Sequence, residues 1–170
     1  MTPKDLTIDV RKLNASDAKA FQIVRLEGLS NHVFEFGSAL EEEADLRIDE
    51  IGARLDQGQV FGAFLDGELQ AIAGFRHHDR LKKRHKAQLF GVYVRREARG
   101  FGLGEAVVRH VIEAASNEVE QLLATVASIN APAKALYAKL GFVTYGREPR
   151  AHKVGDHYVD QDHLVLMLRS

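Results

Sequence analysis

The 170-residue chain has no cysteine, no tryptophan and only three prolines. Without a thiol there can be no disulfide, no zinc–thiolate or iron–sulfur site, and no mechanism that passes through an acyl-cysteine. Net charge is missing too: 23 Lys and Arg oppose 24 Asp and Glu, leaving a formal charge of −1. A neutral molecule carries no whole-surface field for nucleic acid or for a membrane face. No stretch approaches the roughly 20 apolar residues of a spanning helix. Met1-Thr2-Pro3-Lys4-Asp5 lacks the charged-then-apolar layout of a secretory signal, so the expected location is cytoplasmic. With no low-complexity linker, one domain over residues 1–170 is expected, large enough to bury roughly two thirds of its unfolded surface without staples.

What is present is a globular composition, 45% hydrophobic and 28% charged, with the two signs segregated along the chain. Acidic residues gather between Glu35 and Glu50, and basic ones between Arg76 and Arg109. Ile8 to Leu13 alternates as a strand, and Asn14, Ser16 and Asp17 offer caps for a helix to about Glu27, with Ala20, Phe21 and Val24 inward. A second amphipathic helix is expected within 31–55. Val60 to Leu65, Asp66-Gly67 and Glu68 to Phe75 read as a hairpin, followed by a basic stretch to Lys86. Ala87 to Arg95 is a further strand in which Gly91 marks a bulge or a close backbone approach. Apolar residues from Leu103 to Ala115 recur at helical spacing, Leu122 to Ala127 is a strand, and Asn130 caps a third helix ending at Gly141. Strands at 142–145, 157–160 and 164–168 complete a mixed α/β order.

Chemistry concentrates at Arg99-Gly100-Phe101-Gly102-Leu103-Gly104-Glu105, where a strand gives way to a helix. Unsatisfied amides converge at such a junction, glycines let backbone approach an anion, and Arg95, Arg96, Arg99 and Arg109 add positive charge. The nucleoside-triphosphate loop requires Lys and Ser or Thr after its last glycine, whereas Glu105-Ala106 stands here. The dinucleotide fingerprint requires glycines two and then three apart, whereas Gly100, Gly102 and Gly104 are two and two apart.

The pattern Arg99-x-x-Gly102-x-Gly104 after Val92-Tyr93-Val94 resembles the acetyl-CoA pyrophosphate motif of the GNAT superfamily of N-acetyltransferases. Asn130-x-x-Ala133-x-x-Leu136-Tyr137-x-x-x-Gly141-Phe142 resembles that family's second motif, in the same order and separation. The resemblance implies the GNAT fold: a mixed, mostly antiparallel central sheet flanked by helices. It implies acetyl-CoA as cosubstrate, no metal, and a strand at Leu89 to Arg95 splayed from its neighbour. The implied cofactor-binding residues are Val92, Tyr93, Val94, Arg99, Gly100, Phe101, Gly102, Leu103, Gly104, Glu105, Asn130, Ala133 and Tyr137. The pantetheine arm would meet main chain near Val92 and Val94, and Tyr137 would sit by the thioester sulfur as general acid. This chain departs from the family at Arg95-Arg96-Glu97, where a hydrophobic residue and proline are common.

Acetyl transfer to an amine needs a neutral nucleophile, and an alkylamine of pKa near 10.4 pays roughly 4.6 kcal/mol for deprotonation at pH 7. His85 and Glu42 are the candidate bases, His85 for its intrinsic pKa and Glu42 for its place in the acidic segment. The expected acceptor is the amine of a small molecule or peptide, attacked directly in a ternary complex; a homodimer is compatible with this, and neither nucleic acid nor a membrane is expected. A second reading keeps the fold and acyl-CoA binding but not catalysis, as a sensor module. The basic stretch 76–86 lacks interleaved aromatics, which favours a solvated loop or a contact to the cofactor 3′-phosphate over nucleic acid.

Overall fold

The computed structural model describes residues 6–169; the first five, read above for a signal, lie outside them. Strand β1 (Ile8–Lys12) leads through a 3₁₀ turn to α1 (Ala18–Asn31). The turn is a reciprocal cap, with the Asn14 side chain accepting from the Ser16 amide at 2.9 Å and Asp17 accepting from the Asn14 amide at 2.9 Å. That box moves the helix start to Ala18, so Ala18, Val24, Gly28 and Leu29 are buried, Phe21 is half-buried and Ala20 is exposed. The helix expected within 31–55 divides into a single turn, α2 (Leu40–Glu43), and α3 (Ile48–Gln57). Two successive caps cause the break: Glu42 accepts from the Ala39 amide at 2.7 Å and Glu50 from the Arg47 amide at 3.0 Å.

The rest of the chain supplies β2 (Gln59–Leu65), β3 (Glu68–His77), β4 (Lys86–Val94), α4 (Leu103–Ser116), β5 (Gln121–Ala127), α5 (Ala131–Lys139), β6 (Val143–Val154) and β7 (His157–Met167). The seven strands form one sheet in the order β1-β2-β3-β4-β5-β7-β6. Among the described residues its pairings are antiparallel except β4 with β5. The last two strands are longer than their sequence suggested, and β7 is one strand because Gln161 to Met167 pair with β5 while His157 to Val165 pair with β6. Strand β6 runs through Pro149 because it is an edge strand with two irregularities, where a missing amide costs no ladder bond.

Two cores flank the sheet. On one face Leu103, Val107, Val108, Val111 and Ala115 of α4 pack on Phe61, Phe75, Leu89 and Leu122, each side chain larger than alanine contributing roughly 1.5–3 kcal/mol by burial. On the other, α1 and α3 cover Leu69, Ile72 and Tyr93. The α1 backbone comes so close that a Cβ on Gly28 would lie 3.0 Å from the Tyr93 ring.

Candidate active site

The site begins where the sheet comes apart. Strands β4 and β5 pair only from Lys86–Gln88 to Gln121–Leu123; beyond that β4 stays with β3 and β5 stays with β7. A bulge drives the separation. Ile72 faces Tyr93 but Gly74 faces Phe90, so β4 holds one extra residue at Gly91, whose φ of +65° suits glycine. The Arg95 amide donates to Gln70 O at 2.9 Å, so by strand alternation the main-chain groups of Val94 and Val92 point to the edge that β5 has left. The gap opens into a cleft of about 1690 Å³, larger than the roughly 300–1,000 Å³ of single-ligand sites and suited to two reactants.

At the far end of β4 lies the glycine loop. Gly100 and Gly102 have φ of +84° and +78°, and a Cβ on either would meet nothing within 4 Å. Their requirement is therefore the left-handed backbone, not relief from a protein clash. Gly102 is the N-cap of α4, and its carbonyl accepts the first helical bond from Ala106 at 3.0 Å. The amides of Leu103, Gly104 and Glu105 precede that bond and are offered outward, at the positive end of the dipole. Gly104 serves packing instead, since a Cβ there would sit 3.1 Å from Val94 Cγ2. Phe101 is exposed, while the Leu103 side chain is buried and contributes only main chain to the loop.

The arginines around this loop are mostly committed. Arg95 pairs with Glu27 at 2.9 Å, and Arg109 with Glu105 at 2.8 Å. Glu105 also receives Lys139 at 2.5 Å; the Lys139 and Arg109 bonds hold its carboxyl below the usual range. Arg99 reaches across the end of β4, donating to Val94 O at 3.4 Å and to His32 Nε2 at 3.0 Å. A guanidinium can only donate, so His32 accepts through Nε2 and turns Nδ1 toward Glu35 at 3.6 Å. The basic loop 78–85 lies at the opposite end of β4, away from the glycines, so the 3′-phosphate contact considered for it is not brought about.

Helix α5 supplies the other wall. Asn130 Oδ1 caps the helix by accepting from the Ala133 amide at 3.2 Å, which leaves its amino group to face a ligand. Tyr137 lines the cleft yet is only 5% exposed, packed 5.5 Å from the Phe142 ring, and burial pushes its phenol well above the ordinary value. It stays protonated and can donate. Tyr93 departs from expectation: its ring turns to the α1 face, its hydroxyl donates to Glu27 at 2.9 Å, and its main chain faces β3.

Neither candidate base reaches the cleft. The His85 carbonyl accepts from Glu120 at 2.7 Å at the closed end of the β4–β5 pair, seven residues and roughly 20 Å from Val92. Glu42 caps α2, and its neighbour Glu43 faces the cleft in a two-bond pair with Arg25 at 2.8 and 2.9 Å. The Glu35 carboxylate stands 3.6 Å from His32 and also lines the cleft. His32, Phe36, His152 and Gln161 also line the cleft and were not legible in the sequence, because each arrives from a segment without local periodicity or from the unforeseen length of β6 and β7; Arg25 lies on the expected first helix, but nothing local marks its side chain as facing a cleft.

Residues 24–142 match the acetyltransferase (GNAT) family model. No curated protein sequence matches the chain. A GNAT-family acetyltransferase from Streptococcus pneumoniae is 24% identical with a TM-score of 0.80, covering 95% of this chain and 99% of its own. The structure of yncA from Salmonella typhimurium, solved with its cofactor acetyl-CoA, is 19% identical with a TM-score of 0.82, covering 96% and 95%. A ribosomal-protein-alanine N-acetyltransferase from Brucella melitensis is 22% identical with a TM-score of 0.78, covering 94% and 99%. The glycine loop, the splayed strands and Tyr137 all fall within the matched span, and the chain belongs to the GNAT family of acetyltransferases.

Proposed function

We propose that the chain transfers the acetyl group of acetyl-CoA directly to a primary amine in a ternary complex. The observation that carries this is the splay, which leaves Val92 and Val94 without a β5 partner on the cleft that the buried Tyr137 also lines. In this reading the amides of Leu103 to Glu105 hold the pyrophosphate, and Asn130 and the β4 edge hold the pantetheine arm. The Val94 amide donates to the carbonyl oxygen as negative charge develops on it. The amine nitrogen bonds to the thioester carbon, the C–S bond breaks, and Tyr137 gives its proton to the leaving thiolate. The amine loses its own proton to water or to Glu35, which faces the acceptor side. The chain has no cysteine to carry the acetyl group, consistent with direct attack.

The test is a thiol-release screen with acetyl-CoA across polyamines, amino acids, aminoglycosides and peptides. Release with at least one amine supports transfer. Tight CoA binding without release from any of them supports the sensor reading instead.

A further inference from the structure

The segment between α1 and α2 forms one side of the acceptor region and is tied down along its length. His32 meets Arg99, Phe36 lies beneath the Arg25 guanidinium at 5.1 Å and 6.4 Å from the Tyr93 ring, and the Ala39 amide is held by Glu42. One more contact comes from across the sheet. His152 of β6 donates from Nδ1 to the Phe34 carbonyl at 3.0 Å, since a carbonyl can only accept. Two strands, β5 and β7, separate β6 from β4, a span of roughly 14 Å at the usual strand spacing. His152 nevertheless meets a loop that packs on β4.

The strand reaches that far because it bends. Its pairing with β7 is irregular between Glu148 and His152, and Arg150 at φ +52° is fixed by its amide donating to Asp160 at 2.9 Å. His152 lines the cleft, as do His32, Glu35 and Phe36 on the loop it meets. The bond therefore closes an arch across the acceptor side.

We propose that the acceptor is a free low-molecular-weight primary amine with an apolar body, taken beneath this arch, and not an amine on a folded protein or a peptide terminus. This rests on the acetyl-transfer reading. Phe36, Phe90 and Leu46 give the same cleft apolar surface, and Glu35 offers a carboxylate to the ammonium. A polypeptide amine would have to carry its own backbone through the arch, against contacts that hold both of its feet.

The experiment compares acetyl-CoA thiol release with phenethylamine, cadaverine and free amino acids against an alanine-terminated peptide and folded lysozyme. The expected preference for the best small amine is at least about tenfold per amine. In His152→Ala, which removes the donor, the ratio of peptide to small-amine turnover rises by about tenfold; His152→Asn, whose amide can donate to the same carbonyl, keeps the parent ratio. Peptide or protein acetylation as fast as that of the best small amine overturns the proposal while leaving acetyl transfer standing. So does a folded His152→Ala variant with an unchanged ratio. Bound CoA with no release from any acceptor overturns the transfer reading and this proposal with it.

Discussion

Gly102 offers a test that separates backbone conformation from steric bulk. Its φ is +78° and a Cβ would touch nothing within 4 Å, so size alone predicts that alanine, asparagine and valine are all tolerated. Conformation predicts otherwise. The left-handed region costs an ordinary L-residue roughly 1–2 kcal/mol, more when β-branched, and asparagine much less. A loop under about 2 kcal/mol of strain relaxes when free, leaving the conformer with aligned Leu103, Gly104 and Glu105 amides populated about one part in thirty. The apparent Kd for CoA rises by the same factor. Calorimetric titration with CoA should therefore show a roughly thirtyfold loss for Gly102→Val and less than about threefold for Gly102→Asn. Because the free loop relaxes, the Tm of the unliganded valine variant should fall by less than about 2 °C. Equal losses for valine and asparagine, or an unchanged Kd for valine, would refute the assignment of the loop to phosphate.

Three further perturbations follow from the geometry. Tyr137→Phe should lower kcat by about 10²–10⁴ while CoA affinity stays within about twofold, because the ring packing is kept and only the proton is lost; equal loss in both would make Tyr137 structural. Asp162 is 3% exposed, receives Arg147 at 2.6 Å and Lys134 at 3.0 Å, and has its pKa lowered to about 2, chiefly by the Arg147 bond. Against an ordinary value near 3.8 the native state gains roughly 2 kcal/mol that is present above pH 4 and lost as pH falls toward 2. Acid unfolding of Asp162→Asn should lack that component. Glu43→Gln should cost about 1–3 kcal/mol in urea unfolding, because Arg25 is 13% exposed and loses a two-bond partner; a change under about 0.5 kcal/mol would show that the pair is solvent-screened.

Local patterns carried far in this chain, and distance limited them. The α4 repeat, the Asp66-Gly67 hairpin, the Asn130 cap and the Gly91 bulge were readable because each is decided within a few residues. The break between α2 and α3 was not, because two one-way caps, Glu42 on the Ala39 amide and Glu50 on the Arg47 amide, outcompete the apolar spacing. For the candidate site, the motif residues Arg99, Gly104 and Tyr137 line the cleft, whereas His85 and Glu42, chosen on residue chemistry without direction, do not. His85 lies at the closed end of β4, and Glu42 spends its carboxylate on a cap. The residues that line the acceptor side come together over separations as large as the one between Phe34 and His152, which no local pattern encodes.

The segregation of charge along the sequence is partly offset by local pairing. In the basic half, Arg95 pairs with Glu27 and Arg109 with Glu105, while Arg99 meets the His32 imidazole and the Val94 carbonyl and keeps its charge. In the acidic half, Glu42 and Glu50 are caps, and Glu43 and Asp49 are paired with Arg25 and Arg47. In the acetyl-transfer reading proposed above, anion recognition at the loop would rest on main-chain amides and the helix end, with Glu105 standing among them as a like charge screened by two cations. Glu105→Gln should release Lys139 and Arg109 toward the phosphate region and tighten CoA binding by about two- to fivefold at low salt, the gain fading as ionic strength rises. Weaker binding in that variant would mean that Glu105 instead orients the loop, and that the amides owe their direction to its pair with Lys139.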